Sequence, residues 1–325
     1  MAFSSGDSNV PESVKNADFE EPDTSLPKTN ISKIRNKMRR MTEYVKLKKE
    51  KQRLKRIARK KRLKEAKALG DSAPPKKVPK TIENTREPDD AMVDPQDEEV
   101  QFDEAMDEMA AYFNKDYVPK VLVTSSDNPH TRTIRFCREL KQTIPNAEFR
   151  WRNRASVKKM VKGAIERGFS DIVLINEDRR HPNGMLLVHL PDGPTAHFKI
   201  SNTKLCREVK HHATWSEHRP EVILNNFNTR LGHTVARMLA SIFHYEPQFR
   251  GRRVVTFHNQ RDYIFFRHHR YEFKNEKRAA IQEIGPKFTL KLRSLQKGTF
   301  DSKFGEYEWV LKRHQMETSR RRFFL

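Results

Sequence analysis

The character of the chain changes at Val118, and this change limits what it can fold into. After that residue, short apolar runs separated by turn residues alternate with stretches of helical spacing. Val121–Thr124 has the composition of a buried strand, Thr131–Gln142 of a helix and Asp171–Asn176 of a central strand. Because strands alternate with helices, the sequence predicts an α/β (α+β) fold.

The strand–helix unit that opens this region recurs about a hundred residues later. Pro119–Thr124 precedes the predicted helix Thr131–Leu140, and Pro220–Leu224 precedes Thr229–Phe243, each helix beginning with a Thr-Arg pair. We therefore predict two pseudo-repeated halves. Further strands are predicted at Glu148–Arg152, Arg253–His258, Tyr263–His268 and Tyr271–Lys274, a helix at Ser156–Arg167, and a hairpin of Met185–Leu190 with Ala196–Ile200.

The residues before Val118 form blocks of charge. Residues 1–30 show little periodicity and are predicted to be disordered. Ile31–Leu69 has 18 Lys or Arg against three Glu and no Gly or Pro, which predicts a basic helix. Residues 70–117 are predicted to be an acidic flexible linker, because Glu87–Asp116 carries 12 acidic residues and one Lys. The alternative is that this acidic block shields a basic surface until RNA displaces it.

A narrow apolar stripe on the predicted basic helix is a candidate partner-binding surface. Its members follow each other at spacings of three and four residues, which places them on one helix face. They are Ile31, Ile34, Met38, Met41 and Val45. Beyond the stripe, Lys55–Lys64 (KRIARKKRLK) suits nuclear import, RNA binding or simply a solvated helix.

The positive charge is concentrated in the part predicted to fold. The net charge is +22, yet the first 117 residues carry 25 basic and 23 acidic residues, whereas residues 118–325 carry 40 and 20. A basic tail therefore does not explain the excess. The distribution indicates a shaped surface for a polyanionic partner.

Several classes of protein are disfavoured by composition. No uncharged apolar run reaches about 18 residues, and the first ten residues lack the features of a secretory signal, so we expect neither membrane insertion nor secretion. Cys137 and Cys206 are too few for a disulfide framework or a thiolate zinc site, which favours a reducing compartment.

The most informative segment is Gly285–Phe300 (GPKFTLKLRSLQKGTF). In a strand, Phe288, Leu290 and Leu292 face one side, while Lys287, Thr289, Lys291 and Arg293 face the other. A row of cations at about 6.6 Å spacing fits successive phosphates of a nucleic acid. The alternative is an edge strand that uses Lys to prevent aggregation.

Two further basic segments extend the predicted RNA-binding set. Arg150–Lys159 (RWRNRASVKK) places Trp151 among cations, where it either stacks on a base or belongs to the core. Arg250–Arg253 (RGRR) precedes a strand. The alternative to RNA binding is that this segment is an ordinary basic loop. The candidate RNA-binding residues are Lys287, Lys291, Arg293, Lys297, Arg250, Arg252, Arg253, Arg150, Arg152, Arg154, Lys158 and Lys159.

Catalytic interpretations have weaker support in the sequence. Glu177 and Asp178, with His181 nearby, resemble the carboxylate ligands of a metal-dependent RNA-processing enzyme, but Arg179 and Arg180 can pair with them instead. His211, His212 and His218 could bind a metal, but Cys206 is the only cysteine near them in the sequence. A basic cluster without a metal is the alternative. The sequence contains no GxxxxGK[ST] phosphate loop. We expect no metal and no cofactor.

Three segments resemble the landmark segments of the Brix domain family: Val121–Asn128 (VLVTSSDN), Asn183–Asn202 (NGMLLVHLPDGPTAHFKISN) and Gly285–Phe300. The last is similar to the sigma-factor-like motif of that family. The similarity covers residues 118–304. It implies two halves that each resemble the anticodon-binding domain of class II aminoacyl-tRNA synthetases, and a domain that binds ribosomal RNA and confers no known catalysis.

The resemblance is strongest to a nucleolar factor for assembly of the large ribosomal subunit. It implies that precursor ribosomal RNA, other assembly factors and ribosomal proteins are the partners, and that the nucleus and nucleolus are the location. Residues 305–325 are predicted to be a C-terminal helix or tail that docks on a partner or on the domain itself. The remaining alternatives are the metal-dependent enzyme and an adaptor that binds only proteins.

Overall fold

The structure is a computed structural model that describes residues 31–69, 79–81, 83–87, 90–94, 96–276, 278–312 and 323–325. Residues 1–30, predicted to be disordered, and residues 70–78 of the predicted linker lie outside this set. The chain divides into two compact units, Met1–Lys80 and Thr81–Leu325. Among the described helices, none has the length and apolar character needed to cross a membrane.

The first unit contains the long helix α1 (Lys37–Leu69). Asn36 caps its start, because its side-chain oxygen accepts hydrogen bonds from the backbone N–H groups of Met38 (3.0 Å) and Arg39 (3.1 Å). Ile31–Lys33 form a separate 3₁₀ turn. The helix predicted from Ile31 therefore begins at Lys37, six residues later, where the Asn36 side chain satisfies the first free amides.

The described part of the second unit places eleven strands in one mixed sheet. Along the sheet the strand order is β2-β1-β3-β4-β5-β10-β8-β7-β6, with β11 paired to β10 and β9 to β8. The strands are β1 (Val121–Ser125), β2 (Ala147–Phe149), β3 (Asp171–Asp178), β4 (His181–His189), β5 (Thr195–Lys204), β6 (Glu221–Asn225), β7 (Arg253–Gln260), β8 (Tyr263–Asn275), β9 (Arg278–Glu283), β10 (Lys287–Gln296) and β11 (Tyr307–Val310). The helices are α2 (Glu98–Met106), α3 (Ala110–Phe113), α4 (Thr131–Thr143), α5 (Val157–Ile165) and α6 (Arg230–Ser241).

Two halves with matching topology make up the sheet, which confirms the predicted pseudo-repeat and the mixed α/β class. In the first half, β1 is parallel to β3, and β3, β4 and β5 follow as an antiparallel meander. In the second half, β6 is parallel to β7, and β7, β8 and β10 form the corresponding meander. The last strands of the two meanders, β5 and β10, pair antiparallel at the centre. The halves are therefore related across the β5–β10 junction.

One face of the sheet is covered by a helix from each half. Phe136 of α4 and Leu239 of α6 belong to a single apolar cluster, together with Phe198 of β5 and Phe288 of β10. The Phe136 and Phe288 rings meet edge to face at 5.4 Å, and Phe288 stacks on Phe266 at 4.4 Å. This shared core joins the halves, since it runs through the central strands.

The other face is covered only in the first half. There α5 packs Val161 and Ala164 on Leu174 and Val188, forming a second, smaller cluster. The second half has no described counterpart of α5, because the chain between α6 and β7 forms only a short 3₁₀ turn at Phe249–Gly251. That absence leaves this side of β5, β10, β8 and β7 without a covering helix from the described part of this unit.

The acidic segment docks on the outside of α6, which differs from the predicted flexible linker over residues 70–117. Arg237 makes a bidentate ion pair with Asp107 (2.6 and 2.8 Å) and a further contact with the Glu104 carboxylate (3.2 Å). Glu104 also contacts His233 Nδ1 at 2.8 Å. Met109 and Tyr112 are buried. The charge pattern favoured a linker, but these carboxylates find cationic partners that only the fold brings near.

The end of the chain is predicted to be a helix or a tail, and its described residues form a short strand and a docked end without a helix. Tyr307–Val310 forms β11, which is paired with β10, while residues 313–322 lie outside the described set. Leu325 is buried, and the backbone amides of Phe324 and Leu325 donate to one oxygen of Asp262 at 2.8 and 3.0 Å. The last residues therefore pack on their own domain.

Two strand predictions change in length, while the predicted β4–β5 hairpin is confirmed. The strand expected at Glu148–Arg152 is β2 (Ala147–Phe149), which ends three residues earlier, and the chain then turns through left-handed backbone angles at Asn153 and Arg154. The two strands expected within 263–274 are one continuous strand, β8.

Candidate nucleic-acid interface

The uncovered side of the sheet, which we call the open face, is the candidate interface. Side chains alternate between the two faces of a strand, so the residues between the buried core positions point to it. Strands β5, β10, β8 and β7 contribute no Asp or Glu to this side of the sheet. The open face comprises His197, Lys199, Ser201 and Lys204 of β5, Lys287, Thr289, Lys291 and Arg293 of β10, Tyr263, Phe265, Arg267 and His269 of β8, and Thr256 and His258 of β7.

The middle of the open face pairs like charges across neighbouring strands. Lys291 lies opposite Lys199, and Lys287 lies opposite Lys204. Lys199 and Lys204 are exposed. The Lys291 ammonium lies 4.8 Å from the centroid of the Tyr263 ring, which attracts a cation through its π face. The predicted row of cations on β10 is therefore present, and it lies in the centre of the sheet and not on an edge strand.

Two cations of the open face are partly engaged within the protein. Lys287 Nζ lies 2.7 Å from a carboxylate oxygen of Glu283. Arg267 donates to the backbone oxygens of Phe266 (2.7 Å) and Phe288 (3.3 Å), and its guanidinium lies 5.5 Å from the Phe265 ring centroid. These contacts orient both side chains and reduce their availability to a ligand.

Burial and the neighbouring cations of the open face depress the pKa of two histidines. Burial lowers the pKa of His197, and the nearby charge of Arg293 lowers it further. Burial also lowers the pKa of His269, where Arg267 and Lys287 add to the effect and Glu283 opposes it. Burial disfavours the charged form of both rings, and the neighbouring cations disfavour it further.

The second predicted segment forms a separate cluster beside α5. Ser156 caps this helix by accepting a hydrogen bond from the backbone N–H of Lys159 at 3.3 Å. Arg154 and Lys159 are exposed. Arg150 pairs with Glu148 (2.8 Å) and Lys158 with Asp301 (2.8 Å), while Arg152 donates to the carbonyl of Ala155 (2.8 Å).

Trp151 lies at the surface, so the alternative that it belongs to the core is wrong. Half of its surface is exposed, and its ring meets Phe149 edge to face at 5.3 Å. In the predicted strand Glu148–Arg152, side chains would alternate between two faces. This alternation does not reach Trp151, because β2 ends before Arg150. An exposed indole among cations remains available for stacking on a base.

The Arg250–Arg253 segment separates into exposed and buried members. Arg250 and Arg252 are exposed, and Arg252 lies 3.4 Å from Glu272. Arg253 is 2% exposed, which excludes it from the RNA-binding set. It donates to the carbonyl oxygens of Ser216 and His218 and to Nε2 of His268 (3.1 Å), and burial lowers its pKa to about 10. Its position in β7 points it into the protein, which the charge pattern does not reveal.

Lys297 and the predicted partner-binding stripe complete the set. Lys297 is exposed, just beyond the end of β10. Met38 and Met41 of α1 are 76% and 63% exposed. Ile31 and Ile34 precede α1, so the predicted five-residue stripe does not lie on a single helix. Met38, Met41 and Val45 remain as an exposed apolar surface of α1.

The residues considered for catalysis are Glu177, Asp178 and His181, and their surroundings differ from one another. Glu177 accepts a hydrogen bond from the backbone N–H of His130 (2.9 Å) and contacts the His130 ring. The pKa of Glu177 is lowered, with burial opposing the effect of the contacts from His130. Asp178 and His181 flank the tight turn between β3 and β4. In the described residues, no three or more His, Cys, Asp or Glu side chains come together as a metal-binding group.

Residues of the open face that the sequence reasoning missed come from β5 and β8. Lys199 alternates with Phe198 and Ile200 in a predicted strand, so a signal for it existed. Tyr263 and Phe265 gave none, because they alternate with Ile264 and Phe266 in an apolar run that resembles a fully buried strand.

Comparisons with known proteins add an independent line of evidence. The model of the Brix domain matches residues 126–294. Ribosome production factor 1 of Mus musculus is 57% identical over 300 residues, which cover 92% of this chain and 86% of the mouse protein. Ribosome production factor 1 of Danio rerio is 59% identical over 92% of this chain and 91% of its own length. A crystal structure of a probable ribosomal biogenesis protein from Aeropyrum pernix K1 is similar over 60% of this chain and 99% of its own, with 19% identity and a TM-score of 0.42.

Proposed function

Since the chain belongs to the Brix domain family, we propose that it is a noncatalytic assembly factor that binds precursor ribosomal RNA during production of the large ribosomal subunit. Its place of action is the nucleus, and within it the nucleolus. Its partners are the RNA precursor, neighbouring assembly factors and ribosomal proteins. The mechanism is positional, because the protein holds RNA segments and proteins in place without changing a covalent bond.

The observation that carries this proposal is the open face, where cations outnumber carboxylates and Glu283, opposite His269, pairs with Lys287. Lys199, Lys291 and Arg293 share this face, and none of the three forms an ion pair with another described residue. Lysines that face each other repel, and an anionic ligand removes that repulsion. Phosphates of RNA supply such charge at regular intervals along a strand.

The basic cluster beside α5 is proposed as a second RNA contact. Arg154 and Lys159 are exposed near the start of the helix, where free backbone amides favour an anion. Arg250, Arg252 and Lys297 are exposed and stay in the proposed set, whereas Arg253 leaves it. The exposed Met38, Met41 and Val45 of α1 remain the proposed site for a protein partner.

The salt dependence of RNA affinity tests the open face. Replacing Lys199, Lys291 and Arg293 together with Ala should lower the slope of log K against log salt by about two to three units. The matched control replaces Arg135, Arg138 and Lys141, three exposed cations on the outside of α4 at the helix-covered face, and removes the same charge. An equal loss of slope in both triple variants would show that only net charge matters and would remove the open face from the site.

Crosslinking in cells tests the function itself. The full chain should crosslink to precursors of the large-subunit RNA, and its depletion should reduce mature large subunits. Crosslinks to proteins alone would instead favour the adaptor. Metal-dependent RNA cleavage that is lost in Glu177→Ala would favour the processing enzyme.

A further inference from the structure

We infer that the open face binds unpaired RNA, with bases stacked on Tyr263 and Phe265 between rows of phosphate-binding cations. This inference rests on the proposed RNA-binding function and adds the class of RNA and the residues that recognise it. Tyr263 and Phe265 are neighbours on the same side of β8, two residues apart. β8 lies between β10 and β7 in the sheet, and Tyr263 opens the strand next to the β7–β8 turn.

The geometry brings rings and cations together in consecutive rows across the sheet. Phe265 lies opposite Thr289 on one side and His258 on the other. In the neighbouring row, Tyr263 of β8 lies beside Lys291 of β10. Lys291 in turn lies opposite Lys199 of β5. Rows on one face of a strand are about 6.8 Å apart, which leaves each ring room for its own base.

The rings retain exposed surface although each has a cation beside it. Tyr263 is 42% exposed, while Lys291 lies over one face of its ring. Phe265 is half-buried beside the Arg267 guanidinium. An aromatic ring has two faces, so a cation on one face leaves the remaining exposed surface for a base. A cation held this close also lies near the phosphate that follows a stacked base.

Unpaired RNA fits this arrangement better than duplex RNA or a protein. A duplex hides the flat faces of its bases within the stack, so exposed rings on a sheet gain nothing from it. The face carries Lys199, Lys204, Lys291 and Arg293, while the carboxylate of Glu283 is paired with Lys287. This excess of positive charge favours a polyanion over an ordinary polypeptide. Open sheets that combine aromatic side chains with cations bind single strands by stacking and phosphate contact.

The first half explains why the stacking rings lie in the second. There α5 covers the same face and buries Leu174, Leu186 and Val188 beneath it. The corresponding connection in the second half is a short 3₁₀ turn, and Lys199, Lys204 and Tyr263 on that side are exposed. The inferred RNA site therefore occupies the position that a helix fills in the other half.

The test compares binding of the full chain to an unstructured, adenosine-rich RNA and to the same strand annealed to its complement. We expect the unpaired RNA to bind at least about tenfold more tightly than the duplex. Tyr263→Ala and Phe265→Ala should each weaken binding of the unpaired RNA by about tenfold and leave duplex binding almost unchanged. Tyr263→Phe should bind like the parent, whereas Tyr263→Leu should be as weak as Tyr263→Ala, because stacking needs a ring.

The control is Phe273→Ala. Phe273 is another phenylalanine of β8, lies farther along the strand and is 70% exposed. Its affinity should not change. Equal affinity for both RNAs, or full binding by Tyr263→Leu, would overturn the stacking inference while the salt-dependent RNA binding of the proposed function survived. A parent protein that binds neither RNA at low salt would overturn the proposed function as well.

Discussion

Lys199 and Lys291 lie directly opposite each other on β5 and β10, the two strands that join the halves of the domain. Like charges in such a pair destabilise a sheet. The repulsion sits on the uncovered side, where an RNA phosphate can relieve it. The pair therefore links a local cost in stability to the proposed binding site.

Lys199→Thr should stabilise the free protein and weaken its binding to RNA. Removing one charge relieves the repulsion and places a strand-forming residue in β5, so the free energy of unfolding should rise by about 0.2–1 kcal/mol. Urea unfolding and RNA titration measure the two effects. Lys199→Arg keeps the charge and serves as the control. A loss of stability in Lys199→Thr would contradict this account of the pair.

Arg253→Met should destabilise the fold, whereas Arg252→Met should not. The change at Arg253 leaves the Ser216 and His218 carbonyls and His268 without their donor, which should cost about 3 kcal/mol or more. Arg252 is exposed and only pairs with exposed Glu272, so its loss should cost less than about 0.5 kcal/mol. Chemical denaturation of both variants measures the difference. Similar values for the two would place Arg253 outside the core.

His268 should make the fold sensitive to acid. Burial, aided by the charge of Arg253, lowers the pKa of His268 to about 3. Its Nδ1–H donates to the Gly285 carbonyl at 2.7 Å, while Nε2 accepts from Arg253, so the neutral ring is the form that fits. In the unfolded chain the pKa is about 6.5. Between these values the unfolded state binds a proton that the folded state does not.

The contribution of His268 is therefore fully present above about pH 6.5 and decreases as the pH falls towards 3, by up to about 1.4 kcal/mol per pH unit. His268→Gln removes this titration, so its free energy of unfolding should fall less steeply over that range. Urea unfolding at a series of pH values measures both slopes. Parallel curves for the two proteins would show that His268 does not titrate in this way.

Asp107 and Arg237 should be coupled in stability. Their bidentate ion pair is largely shielded from solvent, with 23% and 13% of the side chains exposed, and Arg237 also lies 4.0 Å from the Phe113 ring centroid. A double-mutant cycle with Asp107→Asn and Arg237→Gln should give a coupling energy of about 1–3 kcal/mol. Thermal or urea unfolding of the four proteins supplies the values. Additive single effects would mean that the acidic segment does not depend on this contact.

Much of the fold followed from patterns that are local in the chain. The period of two in Lys287–Arg293 correctly divided the side chains of β10 between an apolar and a cationic face. The recurrence of a strand followed by a helix correctly indicated two halves. In the candidate site, the same alternation placed Lys291 and Arg293 on one side, but the pattern alone assigned β10 no position in the sheet.

Contacts between distant residues escaped these patterns. Arg252 and Arg253 are chemically identical neighbours, yet Arg252 is exposed in the turn before β7, where its backbone is left-handed, and Arg253 begins β7 with its side chain in the core. Asp107 looked like part of a solvated acidic linker until Arg237, far away in the chain, supplied its partner.

The amino-acid sequence by itself determined the class of fold, the pairing of halves and the sign of the surface charge, because strand period, helix period and composition are properties of short segments. The tertiary structure alone decided that Lys199 faces Lys291, that Tyr263 and Phe265 stand among cations, and that a face covered by α5 in one half is open in the other. Those outcomes depend on which strands and helices become neighbours in the folded protein. Packing between residues that are far apart in the sequence decides this.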